Sequence, residues 1–559
     1  MFIRHFNSLH DLPAILICMI GSASLLISCG SDSVANDEYV PKEDTIKVDT
    51  IKPDTIPMDS TVFRSFSLVG SKGEGKSFMI DDSTIHVKIS NGEKLNVMTP
   101  YFELYGKSRV FVDSTEVFSG KTKIGFEDLS NTVRFRIETS DGRSKAWRVV
   151  FYDLPVLLIN TPDNTPITST KVRTEGCRMS LVQEDGSMID LGTAGIKGRG
   201  SSSWEQPKKP YNIKLDNKHA LLGMKSSKHW ILLANCYFDR TQLHNATAFE
   251  MARLTDYPWV QSGKFVELIF NGVHQGLYYL CEKIRIEKGK IEIVEIQPTD
   301  LEGENLTGGY LLESAVATEL NLDKFFKTDY FNKTGRKFGY LLGWRPKHPD
   351  TDEILLEQLN YIRESLNHVE KLIWDEDSLK QGVYRDYFDV ETAINWWLVQ
   401  EATLNEEATR SKNIYMYKDR GGKFMIGPPW DFDAWTFGLY GTSHFYCTKT
   451  ALYYENLLKD PYFVNRLKEK WAIYKPVWLE KIPKFIDDQY ELIKRAALRN
   501  DKMWPNFCPE TKADEKTYEQ NVMEMKDAFV KQIEWMDNSI QNNYFVDWWD
   551  ENDWPPSHR

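Results

Sequence analysis

The sequence predicts an α+β protein with a small all-β module near its N-terminus and a helical C-terminal half. Four runs of the first 155 residues alternate apolar and polar side chains, at 84–90, 108–113, 132–139 and 146–153. A period of two is typical of half-buried β-strands. Three later runs, 391–400, 465–498 and 517–540, instead carry apolar residues at spacings of three and four. This spacing predicts amphipathic helices.

The four alternating runs place an all-β domain at residues 61–155. Asn91-Gly92 and Asp141-Gly142, which are typical turn pairs, lie among them. We expect a small antiparallel β-sandwich that resembles an immunoglobulin-like module and acts as a spacer. A second, larger block follows from residue 156 to about 545. We expect five residues of the helical runs to belong to its core: Trp471, Trp478, Met523, Met525 and Trp535.

Composition limits the classes of function. The chain has 559 residues, of which 41% are hydrophobic and 13% aromatic, enough for two or more domains with a large core. Its formal net charge of −12 argues against nucleic acid as a partner. Small ligands, metals and proteins remain as partner classes.

The first 29 residues resemble the signal of a bacterial lipoprotein. Arg4 and His5 precede an apolar run, which ends in Leu26-Ile27-Ser28-Cys29-Gly30. A lipid attached at Cys29 would anchor an exported protein at the outer membrane or cell surface. An ordinary cleaved signal peptide is the alternative.

Two further segments lack the pattern of a folded domain. Residues 30–60 repeat Asp-Thr-Ile and contain three prolines, which predicts an extended tether. Residues 546–559 form an acidic, aromatic tail, which we expect to fold back on the domain. Five cysteines remain beyond Cys29 without disulfide or zinc spacing, and we expect most to be core residues: Cys177, Cys236, Cys281, Cys447 and Cys508.

The candidate chemical centre is residues 401–438. Runs 413–417 and 423–427 predict a β-hairpin, because both are rich in β-branched and aromatic residues and a Gly-containing turn joins them. A helix capped by Asp389 precedes the hairpin, with a polar loop at 405–412 between them. Protein kinases present a catalytic loop and a metal-binding Asp in this order.

Asp431-Phe432-Asp433 follows the hairpin and places two carboxylates two residues apart. Carboxylate oxygens beside an apolar wedge suit a divalent metal ion. The alternative is that Asp431 caps a turn while Trp430 and Phe432 simply pack.

Residues 195–216 suggest a phosphate site. Gly198 and Gly200 flank Arg199, three serines follow, and Lys208 and Lys209 precede a strand. Backbone N–H groups, hydroxyls and ammonium groups can all donate to phosphate oxygens. The alternative is an ordinary Gly-Arg-Gly turn before a basic surface strand.

Two more segments contain candidate partners for such a site. Residues 229–254 predict a buried strand and a helix carrying Asn245, and residues 265–286 predict a hairpin that turns at Asn271-Gly272. Glu267 and Glu282 lie on that hairpin. Either could pair with a phosphate-binding lysine, or both could be solvated.

Four segments in this order resemble the spore coat protein H (CotH) kinase family: GRGSSSW with PKKPYNIKLD, HWILLANCYFDRTQLHN, FVELIFNGVHQGLYYLCEKI and NIYMYKDRGGKFMIGPPWDFD. The resemblance implies an atypical kinase-like, two-lobed α+β domain over residues 156–545. It also implies a protein kinase that uses ATP and Mg²⁺ on secreted or surface proteins, with an unknown protein substrate.

The resemblance assigns roles by position. Asp431 becomes the magnesium ligand, with Asp433 beside it and Asn413 as the candidate for a second metal ion. The cofactor-binding residues it implies are Gly198, Arg199, Gly200, Ser201, Lys208, Lys209 and Glu282.

The catalytic base departs from the kinase pattern. A kinase loop has its Asp five residues before the Asn, which from Asn413 is Ala408. Glu407 is the candidate base because a longer side chain could reach the same point. If no base is present, the domain would be a weak or inactive kinase that acts as a protein- or glycan-binding module.

Overall fold

The computed structural model describes residues 60–126, 132–235, 239–316, 325–330, 342–438, 446–449, 451–505 and 516–543. The predicted signal with Cys29, the tether up to residue 59, the acidic tail, Cys236 and Cys508 lie outside these ranges. In the described ranges, no helix combines the length and the apolar character that crossing a membrane requires.

Eight strands form the N-terminal module: β1 (Phe63–Gly70), β2 (Gly73–Ile80), β3 (Thr84–Lys88), β4 (Thr99–Leu104), β5 (Arg109–Val112), β6 (Thr115–Glu116), β7 (Thr132–Glu138) and β8 (Ser144–Tyr152). Hydrogen bonds join them in the order β4-β1-β2-β3-β8-β7-β5-β6. The four predicted strands are confirmed as β3, β5, β7 and β8. The antiparallel prediction is wrong at one pair, because β3 and β8 run parallel.

The two ends of this sheet share one core. Strands β1 and β7 are separated by three others in the sheet, yet the rings of Phe66 and Phe135 lie 5.4 Å apart. Phe63 also packs edge-on against Trp147 of β8 at 5.3 Å. The two halves therefore face each other, with these aromatic side chains between them. An immunoglobulin-like topology stays a prediction.

A closed barrel follows. Its strands are β9 (Val156–Asn160), β10 (Thr174–Val182), β11 (Met188–Gly198), β12 (Tyr211–His219), β13 (Ser227–Leu233), β14 (Gly263–Phe270) and β15 (Val273–Glu282). Their order is β10-β11-β12-β13-β15-β14-β9, with β14 and β9 parallel, and the antiparallel pairing of β9 with β10 closes the barrel. The hairpin that turns at Asn271-Gly272 is confirmed as β14 and β15. Helices α1 (Ser202–Glu205) and α2 (His244–Arg253) lie in the connections.

The remainder combines a second sheet with helices. Strands β16 (Tyr310–Val316), β17 (Leu342–His348), β18 (Tyr415–Lys418) and β19 (Phe424–Ile426) pair in the order β17-β16-β18-β19. The helices are α3 (Gly303–Leu306), α4 (Leu356–Trp374), α5 (Glu376–Gln381), α6 (Val390–Ala402), α7 (Tyr454–Leu457), α8 (Pro461–Met503) and α9 (Tyr518–Gln541). The α+β class, the N-terminal β-rich region and the helical C-terminal part are confirmed.

Helix α6 positions the candidate centre. The Asp389 carboxylate accepts a hydrogen bond from the backbone N–H of Thr392 at 2.7 Å, which confirms the predicted N-cap. Every residue of α6 except Glu391 is buried. The helix therefore packs on all sides rather than through one apolar face, and it gives the following loop a rigid start.

Most of the expected core residues are buried. Trp471, Trp478 and Met525 are at most 3% exposed, and Trp535 packs partly buried against the same core. Met523 is 54% exposed, so that prediction was wrong. The buried residues of α9 recur at spacings of three and four through Met525, and Met523 lies off that stripe. The cysteines Cys177, Cys281 and Cys447 are buried and free, as expected.

Candidate active site

The centre of the site is a pair of residues in left-handed backbone conformation. Asp431 has φ 71° and Asn413 has φ 59°, and the Asn413 Nδ2 group donates a hydrogen bond to the Asp431 carboxylate. Asn and Asp tolerate this conformation better than other side chains that carry a Cβ. The β18–β19 hairpin lies between them in sequence and brings both to one place.

Asn405 connects this pair to the preceding loop. Its Oδ1 accepts from the backbone N–H of Ala408 at 3.3 Å and so caps the short helical turn 406–410. Its Nδ2 donates to the side chain of Gln400 at 2.8 Å and to the backbone carbonyl of Asp431 at 3.2 Å. The loop that carries Glu407 is thereby tied to the metal-binding candidate.

Glu407, Asp431 and Asp433 form what we call the acidic triad. Burial and then the charge of Glu407 raise the pKa of Asp431, to about 6. Burial and then the charges of Asp431 and Glu407 raise the pKa of Asp433 well above its usual range. The Glu407 carboxylate lies 3.2 Å from Lys412 and is 14% exposed. Glu407, Asn413 and Asp431 line one small cavity, with Trp430 at its side.

Arg199, which follows β11 of the barrel, is close enough to this triad for its charge to act on two of the three acids. Its positive charge lowers the pKa of both Asp431 and Asp433. The guanidinium lies 5.3 Å from the centre of the Trp430 ring, and that ring stacks on Phe249. The structure therefore places the predicted Arg199 beside the predicted metal acids.

The turn around Arg199 requires both glycines. A Cβ at Gly198 would overlap the ring of Trp204, and Gly200 has φ 79° with Ser203 directly against it. Ser201 precedes the four-residue helix α1 and is exposed. Its predicted contact with a nucleotide stays a prediction.

The two lysines of this segment bond to backbone carbonyls. Lys208 is fully buried, and its Nζ donates to the carbonyl oxygens of Ala234, at 2.8 Å, and Leu277. Lys209 donates to the carbonyl of Trp204 at 2.6 Å. These contacts stabilise the barrel, and a role at the phosphates stays a prediction for both.

Glu282 lies inside the fold at the end of β15. It is 2% exposed, so the alternative of a solvated carboxylate is wrong for it. Glu267 is also fully buried. Burial raises the pKa of Glu282, while a hydrogen bond from Ser262 and the charges of Lys290 and Lys225 lower it. Its role as a cofactor-binding residue is untested and remains a prediction.

A cluster of basic residues adjoins the barrel and the second sheet, and the sequence reasoning missed it. We call it the cationic cluster: Arg173, Lys197, Lys283, Arg285, Arg345 and Lys347.

The pKa values of two of its lysines indicate how close these charges are. Burial and the charges of Lys347, Arg285 and Arg173 lower the pKa of Lys283 to about 7. Burial and the charges of Arg173, Lys347 and Arg345 also lower the pKa of Lys197. Asp350 offsets part of this repulsion at both lysines. A bound polyanion would offset the remainder.

Arg199 and Tyr415 join the acidic triad to the cationic cluster. The charge of Arg199 acts on Tyr415, whose hydroxyl donates to Glu313 at 3.0 Å. Burial would raise the pKa of Glu313, but Lys347 and Arg345 hold it far below its usual range. A chain of charge interactions and one hydrogen bond therefore runs from the acidic triad through Arg199, Tyr415 and Glu313 to the cationic cluster.

The donor set of the acidic triad fits magnesium. Mg²⁺ prefers oxygen ligands and commonly binds through one or two carboxylates plus substrate phosphates. Asp431 and Asp433 supply two carboxylates that repel each other, and Asn413 supplies an amide oxygen. Among the described residues, no three His, Cys, Asp or Glu side chains converge closely enough to hold a metal ion by themselves.

A pattern in the sequence could have identified some of the basic residues of this region. The basic residues occur in pairs separated by one position: Lys197 and Arg199, Lys283 and Arg285, Arg345 and Lys347. Alternate positions of an extended segment share a face, so this pattern could have indicated the cluster. The role of Asn405 had no such signal, since its partner Asp431 is 26 residues away.

Comparison with known proteins identifies the domain. A model of the CotH kinase protein family matches residues 196–536, which is more than half of the chain. The match covers β11 to α9 and therefore all of the acidic triad. No curated protein matches the chain.

Proposed function

The chain belongs to the CotH kinase family, and from this we propose that it transfers the γ-phosphoryl group of ATP to Ser or Thr of exported or surface proteins. The family supports a kinase-like activity. The protein substrate, the nucleotide and the use of Mg²⁺ are our proposal.

One observation carries the proposal: Glu407, Asp431 and Asp433 lie close together, and the charge of Arg199 acts both on Asp431 and Asp433 and on Tyr415, which bonds to Glu313 beside the cationic cluster. A metal–nucleotide complex has the complementary arrangement, with a cation bound to a polyphosphate. Phosphoryl transfer depends mainly on positioning and on stabilising charge. The acidic triad would receive the metal, and the cationic cluster would receive phosphate oxygens.

Each residue then has a defined task. Asp431 and Asp433, with Asn413, would hold Mg²⁺, which when bound neutralises charge that develops on the phosphate oxygens. Glu407 accepts the proton of the acceptor hydroxyl while the oxygen of that hydroxyl bonds to the γ-phosphorus. The bond between the γ-phosphorus and the ADP oxygen breaks, and ADP leaves with its electron pair. Lys412, 3.2 Å from Glu407, would hold this carboxylate in place by an ion pair.

The proposal extends to the architecture and the location. The barrel would serve as one lobe of a kinase-like fold, and the second sheet with its helices as the other. The N-terminal module would act as an immunoglobulin-like spacer. A lipid at Cys29 would hold the protein at the outer membrane or cell surface.

The test uses residues 57–559, which form one compact unit. Binding of Mg²⁺ with a non-hydrolysable ATP analogue is measured by calorimetry, and label from γ-³²P-ATP is followed into the protein and a Ser-rich test protein. We expect Asp431→Ala to abolish both. We expect Glu407→Gln to keep binding and lower the rate of labelling ~10²–10⁴-fold. Asp377→Ala, an exposed position on α5, is the control.

Two results would contradict the proposal. A wild type that binds no nucleotide in the presence of Mg²⁺ would exclude a kinase and favour a protein- or glycan-binding module. An unchanged labelling rate in Glu407→Gln would show that Glu407 is not the base.

A further inference from the structure

The turn that carries the metal acids has an unusual backbone. Asp431, Trp435 and Phe437 have φ values of 71°, 50° and 54°. Large aromatic residues rarely adopt the left-handed region, because the Cβ crowds the backbone. The local sequence therefore does not favour this turn, and contacts from elsewhere must hold it.

Residues 403–406 supply some of those contacts, through hydrogen bonds to the backbone of Asp431, Trp435 and Phe437. The first turn of helix α2 supplies those that reach Phe432, between the two acids. The side-chain oxygen of Asn245 accepts from the backbone N–H of Phe432 at 3.1 Å. The Nδ1 of His244 lies 2.9 Å from the hydroxyl of Thr436, which donates to the carbonyl of Phe432 at 2.7 Å. Phe432 lies between Asp431 and Asp433, and α2 thus holds both of its backbone polar groups. The N–H is held directly by Asn245, and the carbonyl is held by His244 through Thr436.

Asp239 fixes the helix end in turn. Its carboxylate accepts from the backbone N–H of His244 at 2.9 Å and from the hydroxyl of Thr241 at 2.7 Å. It also lies 3.5 Å from the Nε2 of His244. Asp239, His244, Asn245 and Thr436 are all at most 4% exposed. Water therefore cannot readily replace these hydrogen bonds.

We propose that Asp239, His244, Asn245 and Thr436 form a positioning clamp that sets the carboxylates of Asp431 and Asp433 for the metal ion. The inference rests on the proposed function, and none of the four residues is assigned as a ligand. Residues that orient metal ligands commonly change metal affinity ~10–100-fold when they are substituted. Metal affinity should therefore depend on a hydroxyl at Thr436.

The test compares Thr436→Val, which removes the hydroxyl, with Thr436→Ser, which keeps it. Thr247→Val is the matched control, because Thr247 is fully buried on α2 and its hydroxyl has no hydrogen-bond partner in the described chain. Deuterium exchange of peptides covering 431–438 is measured without ligand. The Mg²⁺ concentration for half-maximal binding of the ATP analogue is measured by calorimetry.

In Thr436→Val we expect faster exchange over 431–438 and a ~10–100-fold higher Mg²⁺ requirement. Thr436→Ser and Thr247→Val should match the wild type in both. Exchange in Thr436→Val that equals the control would overturn the clamp, and so would an unchanged Mg²⁺ requirement. A wild type that binds no nucleotide overturns the proposed function instead, and the exchange comparison still decides whether Thr436 holds the turn.

Discussion

Individual residues of the site combine burial with like charge. Asp431, Asp433 and Glu407 repel one another, and Lys283 is surrounded by other cations. Neither arrangement improves the stability of the unliganded protein, since each disfavours the charged form of the group. Groups with strongly perturbed pKa values are typical of functional sites.

Lys283 should contribute to nucleotide affinity. The half-buried ammonium of Lys283 lies among other cations, and it gains a favourable partner when phosphate oxygens bind. Lys283→Met should therefore weaken binding of the ATP analogue about tenfold or more. Lys288→Met is the control, because Lys288 is exposed in the same segment. Calorimetry measures both affinities, and equal values would remove the cationic cluster from the nucleotide site.

Glu370 should make stability depend on pH. Burial raises its pKa to about 7, although the hydroxyl of Tyr453 donates to it at 2.7 Å. A carboxyl with a raised folded-state pKa stabilises the fold at low pH, and that contribution is lost as pH rises from about 4.5 to 7. The difference in free energy of unfolding, wild type minus Glu370→Gln, should therefore fall by about 2–3 kcal/mol as the pH rises from 5 to 8.

Urea unfolding of the two proteins at several pH values measures this difference. The comparison with Glu370→Gln cancels the titration of other groups. A difference that does not change with pH would show that Glu370 ionises normally in the folded protein.

At the level of elements, helix α8 connects the helical part to the barrel. Trp478 is fully buried, stacks on Tyr474 at 5.8 Å, and donates from Nε1 to the carbonyl of Met251 on α2 at 3.1 Å. Because α2 also carries His244 and Asn245, α8 indirectly supports the turn that carries Asp431 and Asp433.

Trp478→Ala should lower the free energy of unfolding by about 3–5 kcal/mol, since it leaves a cavity in the core and removes the hydrogen bond to the carbonyl of Met251. Met523→Ala on α9 should change it by less than about 0.5 kcal/mol, because Met523 is exposed. Denaturant titration measures both. Similar losses for the two variants would contradict the position of α9 described above.

For the whole molecule, a buried charge cluster joins the N-terminal module to the kinase domain. Arg499 of α8 donates to Asp153, which follows β8, at 3.0 Å and to Glu267 of β14 at 2.9 Å. Asp153 is 3% exposed and Glu267 is fully buried. The module is therefore packed on the barrel and α8 rather than held by a free linker.

Arg499→Leu should destabilise residues 57–559 by about 3–5 kcal/mol, because two buried carboxylates would lose the arginine that they share. This change leaves Asp153 with Arg495 at 3.8 Å and Glu267 with His274 at 3.1 Å. Lys484→Ala, which removes an exposed ion pair with Asp488 on the same helix, should cost about 0–0.5 kcal/mol. Thermal unfolding of the two variants distinguishes these outcomes. A small effect of Arg499→Leu would show that this charge cluster contributes little to docking the module.

The sequence by itself determined the local elements, and it identified Asp431 and Asp433 as candidate metal ligands. The alternation in β7 and β8, the cap at Asp389 and the hairpin before Asp431 are short-range patterns, and each is present in the structure. Strand β4 was missed because it is an edge strand with a proline, Pro100, at its second residue.

Only the tertiary structure decided which distant residues meet. Asn245 and Phe432 are 187 residues apart, yet they share a hydrogen bond, and the cationic cluster draws on strands of both the barrel and the second sheet. The burial of Glu282 and Glu267 also depended on strand pairing rather than on their alternating pattern. Sequence periodicity reports the face on which a residue lies, whereas chain topology decides what covers that face.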